Sequence, residues 1–217
     1  MKAGTRRTSG SLGSGIQNHY NLFVIGLNTP AKIQDFINRI PVHTKDTCFS
    51  PRMVLKKRRA HCMEGALTSA MLLRQCGFKP LVVDLAASSK DFDHVVTVFQ
   101  VRGRWGAISK TNHAVLRYRE PVYASIRELA MSYFHEYFND DGKKTLRSYS
   151  EPVDLSRFDK RGWMTSEEEV WYIPEYLVHV RHTNILTRSQ IRRLRQADPI
   201  EITAGKILEF PPSASSK

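Results

Sequence analysis

Cysteine is scarce in this chain: three in 217 residues, Cys48, Cys62 and Cys76. An odd number at wide spacing, with no CxxC pair, excludes a disulfide framework. It points to a reducing compartment, so a cytoplasmic protein is expected. Long apolar runs are also missing. None approaches the ~20 residues that span a bilayer, so no membrane partner is expected. Met1 to Ser14 carries bases with no apolar stretch behind them, which is not the pattern of a secretory signal. There is no internal repeat and no common nucleic-acid-binding motif. His135-Glu136 lacks the second histidine four residues on that a zinc protease helix needs, because position 139 is Asn. His43 with Cys48, and His61 with Cys62, do not make a metal set. No metal and no cofactor are expected.

Acidic residues are few against basic ones, 21 against 33, and the net charge is +12. The bases gather at Lys56 to Arg59, Arg157 to Arg161 and Arg188 to Arg195. Nucleic acid or another polyanion is therefore a candidate partner, although a basic helix face is more often simply solvated. Arg117, Arg119 and Arg147 are weighed the same way: each could grip an anionic substrate, and solvated charge is the commoner state.

Hydrophobic residues make up 41% and charged residues 25%, which suits a soluble globular protein of one sizeable domain. Residues 1–18 have almost nothing apolar to bury and are expected to be a disordered basic tail. A core is expected over 19–140, an extension packed on it over 141–210, and a second loose tail over 211–217. After a short apolar run from Tyr20 to Leu27, Thr29-Pro30 and Ser50-Pro51 are cap-and-proline helix starts. Ile33, Phe36, Ile37 and Ile40 repeat at helical spacing up to Pro41. A further helix is expected from Cys62 to Cys76, with Ala66, Leu67, Ala70, Met71 and Leu73 on its buried side and Gly77 as its stop.

Leu81 to Ala86 reads as a buried strand. His94 to Val101 and Trp105 to Lys110 read as a hairpin around Arg102-Gly103-Arg104. A long amphipathic helix is expected after Pro121 to about Phe138. Thr145 to Phe158 looks irregular. Ser166 to Glu169 opens a helix through Tyr172 that Pro174 ends or kinks. A basic helix follows from about Ser189 to Gln196, and Ile200 to Phe210 reads as a final strand.

Two of these elements carry chemistry. Cys62 stands in the first turn of its helix, where unpaired N–H groups and the positive dipole end favour a thiolate. His94 opens a strand. A nucleophile on a helix tip and a base on a strand suggest covalent acyl chemistry, whereas a lone cysteine in an apolar helix is usually a small core residue. With the turn at Arg102-Gly103, Val101 faces Arg104 and His94 faces Thr111. Ser109 then lies on the face of His94, diagonal to it and within reach. Asn112 has the opposite parity and reaches that face only if the strand breaks first.

This order resembles the transglutaminase-like superfamily: a cysteine at a helix start, a histidine opening a strand, and a third polar residue at the end of the next strand. His94, Gly103, Trp105, Ser109 and Thr111 fall in the family's places, over roughly residues 50–111. The resemblance implies an α+β fold with a papain-like core, in which the cysteine helix packs on an antiparallel sheet, here with a C-terminal helical extension. It implies Cys62 as nucleophile, His94 as base and then acid, and the Cys62 N–H as one oxyanion donor. The substrate would be a peptide or protein amide, or a thioester-like acyl group, and the acceptor an amine or water. The sequence departs from the family at the third residue, usually Asp and here Ser109. Serine can fix the histidine tautomer but brings no charge. Three readings stay open: Ser109 serves, Asn112 swings in, or the site is a remnant in a catalytically inactive scaffold or binding module that uses its basic surface. His61, Trp105, Thr111 and His113 are candidate cleft residues, each with a bland alternative in capping, core or loop. Glu64 reads as a first-turn acid favoured by the helix dipole.

Overall fold

The structure is a computed structural model that describes residues 26–211. The expected tails, residues 1–18 and all but the first residue of 211–217, lie outside the described residues, as does most of the Tyr20–Leu27 run. Helix α1 spans Pro30–Asn38 and α2 spans Pro51–Lys57. Both begin as their sequences predict: Thr29 Oγ1 accepts from the Lys32 N–H and Ser50 Oγ from that of Met53. Ile33 and Ile37 of α1 are completely buried. Helix α3, Cys62–Gln75, is closed by Gly77 at φ 85°.

Every residue of α3 from Met63 to Leu73 is buried. A single buried side was expected. The helix instead runs through the middle of a core shared with α1, α2, the sheet, and the Trp163, Val170 and Ile173 side chains. Burial on all sides explains the polar residues it tolerates. The hydroxyls of Thr68 and Ser69 bond back to the carbonyls of Glu64 and Gly65, so neither is left unsatisfied. A leucine buried as fully as Leu67, Leu72 or Leu73 contributes about 1.5–3 kcal/mol, so α3 is firmly held. It fixes what it carries at its tip.

Among the described residues the sheet has seven antiparallel strands. They are β1 (Leu81–Ala87), β2 (His94–Val101), β3 (Arg104–Ser109), β4 (Arg119–Tyr123), β5 (Leu146–Ser150), β6 (Val153–Asp154) and β7 (His182–Asn184). The order is β4-β3-β2-β1-β5-β7, with β6 also paired to β1. The hairpin has the expected register: Val101 pairs with Arg104 and Val96 with Ser109. Along β2 the faces alternate. Val95 and Phe99 join the core around α3, while Val96 and Val98 join a second core with Leu129, Ala130, Tyr133 and Phe134 of α4 (Ile126–Phe134).

The C-terminal third departs from the helical extension expected for 141–210. Its β5, β6 and β7 complete the sheet, so the core does not end at residue 140. Short strands interrupted by Glu151-Pro152 give too little period-2 pattern to read from sequence. Other expectations are corrected too. The long helix after Pro121 is the edge strand β4 followed by the nine-residue α4, because the chain turns at Ala124-Ser125 and Ser125 caps the helix. Residues 155–161 form a 3-10 helix. Pro174 lies in the first turn of α5 (Tyr172–His179), where a proline removes no helical bond. The basic helix is shorter, α6 at Arg188–Arg192. The expected strand over Ile200 to Phe210 is instead α7 (Pro199–Gly205), capped by Asp198, followed by a bridge between Leu208 and His113.

Candidate active site

Cys62 is the first residue of α3, and His61 is its N-cap. Glu64, completely buried in the first turn, anchors this tip. Its carboxylate accepts from the His61 N–H (3.0 Å), the Phe49 N–H (2.9 Å), Thr47 Oγ1 (2.7 Å) and His43 Nε2 (2.8 Å). The 43–49 loop is thereby tied to the helix start. Its Thr47 carbonyl in turn accepts from His61 Nε2 at 2.6 Å. Glu64 thus does more than complement the helix dipole: it fixes the ring next to the thiol.

His94 and Ser109 come from the sheet. Their parity puts them on the side of Val96 and Ala107, the α4 side, whereas α3 packs on the opposite side, where Thr97 Oγ1 donates to the Ala66 carbonyl. Cys62 and His94 meet because each is the first residue of its element, so the site lies across the end of the sheet. Ser109 Oγ is 2.8 Å from His94 Nε2. It also lies 2.5 Å from the Leu116 carbonyl, which can only accept, so the hydroxyl proton goes there. Ser109 therefore accepts from His94, and Nε2 carries the proton. That leaves Nδ1 without a proton and able to accept one from Cys62, whose thiol His94 helps to lower.

This arrangement is braced from behind. Gln34, nearly buried on α1, accepts from the Ser109 N–H (2.9 Å) and donates to its carbonyl (2.8 Å). Leu116 has the left-handed φ of 59°, unusual for a leucine. Its N–H is held by Glu136 Oε2 at 2.9 Å, and Arg119 pairs with the same carboxylate oxygen at 2.7 Å.

Two imidazoles act on one thiol. Burial pushes the Cys62 thiol up, but hydrogen bonds from His61 and then His94, with the charge of both rings, outweigh it and bring it down to about 5. For His61, burial pushes the ring down. Its hydrogen bond to Cys62, the Glu64 charge and the Thr47 carbonyl overcome this and raise it to about 9. The other thiols differ. Burial, with the charges of Glu64 and Glu169, pushes Cys48 up to about 12, and burial also raises Cys76, whose thiol donates to the Leu27 carbonyl.

Cys62 and His94 open into a cleft of about 480 Å³, with Asp91, Phe92 and Asp93 on one side and residues 110–116, Tyr137 and α7 around the rest. Thr111 and His113 line it. His113 Nδ1 is bonded to the Gly205 carbonyl (2.8 Å), so this histidine ties α7 to the cleft wall. Asn112 is not brought to His94: its amide makes two bonds to the Phe210 backbone, at 3.0 and 2.9 Å. Trp105, unlike Asn112, does not line the cleft. It lies at the far end of β3, opposite Gln100, and packs with the α4 core. Among the described residues, no group of three His, Cys, Asp or Glu side chains could hold a metal ion.

Gln34, Leu116 and Lys110 are not among the residues predicted from sequence. A glutamine between Ile33 and Ile37, on a face that should be apolar, was the one readable signal. Lys110 is buried over Gly65 of α3. Its Nζ donates to the carbonyls of Ile37 (3.1 Å) and Ile40 and stands 5.1 Å from the Phe210 ring centre, and burial lowers it to about 8.

No family model matches the chain, and no curated protein matches it.

Proposed function

We propose that the chain is a cysteine-dependent acyltransferase or amide hydrolase of transglutaminase-like type. Cys62 is the nucleophile, His94 the base and acid, and Ser109 the residue that orients His94. The observation that carries this reading is the hydrogen-bond direction at Ser109. With its proton committed to Leu116, Ser109 can only accept, so His94 is held in the tautomer that leaves Nδ1 free to take a proton from Cys62.

The chemistry follows in two steps. The Cys62 thiolate attacks the carbonyl carbon of an amide. The carbon–nitrogen bond breaks, and the departing amine takes a proton from His94. Water or a second amine, losing its proton to His94, then attacks the thioester and releases Cys62. The Cys62 N–H is at the first helical position, where it has no intrahelical acceptor, and is available to the tetrahedral oxyanion. The missing aspartate is compensated from the other side. His61, charged and held by Glu64 and Thr47, supports the thiolate directly, so the ion pair does not depend on a carboxylate behind His94.

An activated acyl ester tests the reading. The expected result is a single acyl mass on Cys62 that forms in a burst and is lost in Cys62→Ala and His94→Ala proteins that remain folded. Acylation spread over lysines, or retained in folded Cys62→Ala, would remove the enzyme reading and leave an inactive scaffold.

A further inference from the structure

Away from the cysteine cleft, a second cavity of about 390 Å³ lies between the 88–90 turn, the start of β5 and α6. Arg147 lines it. Of the three arginines singled out in the sequence, Arg117 pairs with Glu209 and Arg119 with Glu136, at 2.9 and 2.7 Å. Arg147 pairs with no carboxylate among the described residues. Its Nη1 donates to the carbonyls of Lys144 and Leu146, both at 3.0 Å, which fixes the plane of the half-buried guanidinium and leaves its other edge uncommitted. Burial without a counter-charge pushes Arg147 below the usual arginine value.

The rest of the wall reinforces this. Lys90 and Lys144 also reach the cavity and form no ion pair among the described residues. Lys143 and Arg195, at the rim, are already paired, with Asp141 and Asp198. Ser88 and Ser89 add hydroxyls, and no carboxylate lines the cavity. Three cations that form no ion pair among the described residues line one concavity, and their mutual repulsion is relieved when an anion enters. A fixed guanidinium edge suits the paired oxygens of a phosphoryl group. The volume is that of a small-molecule pocket and not of an extended strand-binding groove.

We propose that this cavity binds the phosphoryl group of a small phosphorylated ligand through Arg147, Lys90 and Lys144. The site is separate from Cys62 and does not rest on the enzyme reading: the 88–93 loop and the 137–145 turn border both cavities, but no residue lines both.

Calorimetric titration of the full chain tests it, in phosphate-free buffer, with inorganic phosphate, pyrophosphate, a nucleoside monophosphate and a single-stranded ten-nucleotide DNA. Saturable one-to-one binding of at least one small phosphate, at sub-millimolar strength, is expected. Arg147→Ala or Lys144→Ala should weaken it about tenfold or more. Arg104→Ala, at the remote hairpin turn, should leave it unchanged, and Cys62→Ala should bind as the parent does. Preference for the monophosphate over inorganic phosphate identifies an ester ligand, and the reverse a free anion. If Arg147→Ala fails to fold by circular dichroism, Lys144→Ala decides. Three results would overturn the proposal: no saturation by any small phosphate, equal weakening by Arg104→Ala, or binding of the DNA alone.

Discussion

Ser109 Oγ receives the Nε2 proton of His94 across 2.8 Å and passes its own to the carbonyl of Leu116, 2.5 Å away. The hydroxyl therefore orients the imidazole without charging it. Ser109→Ala removes the orientation and leaves His61 in place. Turnover, or Cys62 acylation by an activated ester, should fall by about 10–100-fold. That is less than the roughly 10⁴ lost when a triad carboxylate is neutralised. A loss as large as that of His94→Ala would show that Ser109 does more than orient.

His61 is expected to set the acidity of Cys62. His61→Ala deletes the first of the two hydrogen bonds that lower Cys62, so the apparent thiol pKa should move up from about 5 toward the ordinary value. Alkylation of Cys62 should slow sharply at pH 6 and little at pH 9. An unchanged pH profile would assign the whole effect to His94.

Glu64 is expected to hold the helix tip. It is buried and accepts from four donors. Glu64→Ala leaves those donors unpaired and should cost about 3–5 kcal/mol in urea unfolding. Glu64→Gln keeps the shape but not the charge and should fall between. A loss under about 1 kcal/mol for the alanine variant would mean that the loop finds other partners.

Much of this architecture is legible in the chain and some is not. Thr29-Pro30, Ser50-Pro51 and Gly77 announce helix ends through local chemistry, and the Arg102-Gly103 turn sets the register that makes Ser109 the neighbour of His94. Those signals are contiguous in sequence. The clamp of Gln34 on Ser109 joins residues 75 apart, and the Asn112–Phe210 pair residues 98 apart. No local pattern encodes either one. Trp105 was a cleft candidate only through its place in the transglutaminase-like resemblance, with hairpin core as the alternative. In a strand, four residues put it about 13 Å away from Ser109.

Gly65 is predicted to be irreplaceable for a reason of packing. A Cβ there would stand 2.3 Å from Cβ of Lys110 and 2.7 Å from its Cγ. Lys110 is buried and its amine is tied to α1, so it cannot swing away. Gly65→Ala should destabilise by about 1–3 kcal/mol or more, despite the better helix propensity of alanine. Thermal unfolding checks it, and a stabilised variant would show that the α3–β3 contact is looser than described.

Asp84 should impose a pH dependence on stability. Burial raises its carboxyl to about 6, against the hydrogen bond from His182, with the Asp93 charge adding to the rise. The folded state thus holds the proton more tightly than the unfolded chain. Stability from this group is fully present below about pH 4 and is lost as pH rises through about 6, by about 2–3 kcal/mol. Urea midpoints between pH 4 and 7 should show this component in the parent protein and lack it in Asp84→Asn. The same slope in both proteins would assign it to other groups.

Whether Cys62 is a thiolate activated by histidine is decided by its alkylation rate as a function of pH. Iodoacetamide would be applied to the folded protein, with each cysteine read out by peptide mass. Cys62 should label rapidly with a midpoint near pH 5, Cys48 should stay unlabelled at neutral pH, and His94→Ala should slow Cys62 and shift its midpoint upward. A Cys62 that titrates near the ~8.5 of a free thiol, or labels no faster than Cys76, would contradict activation by histidine.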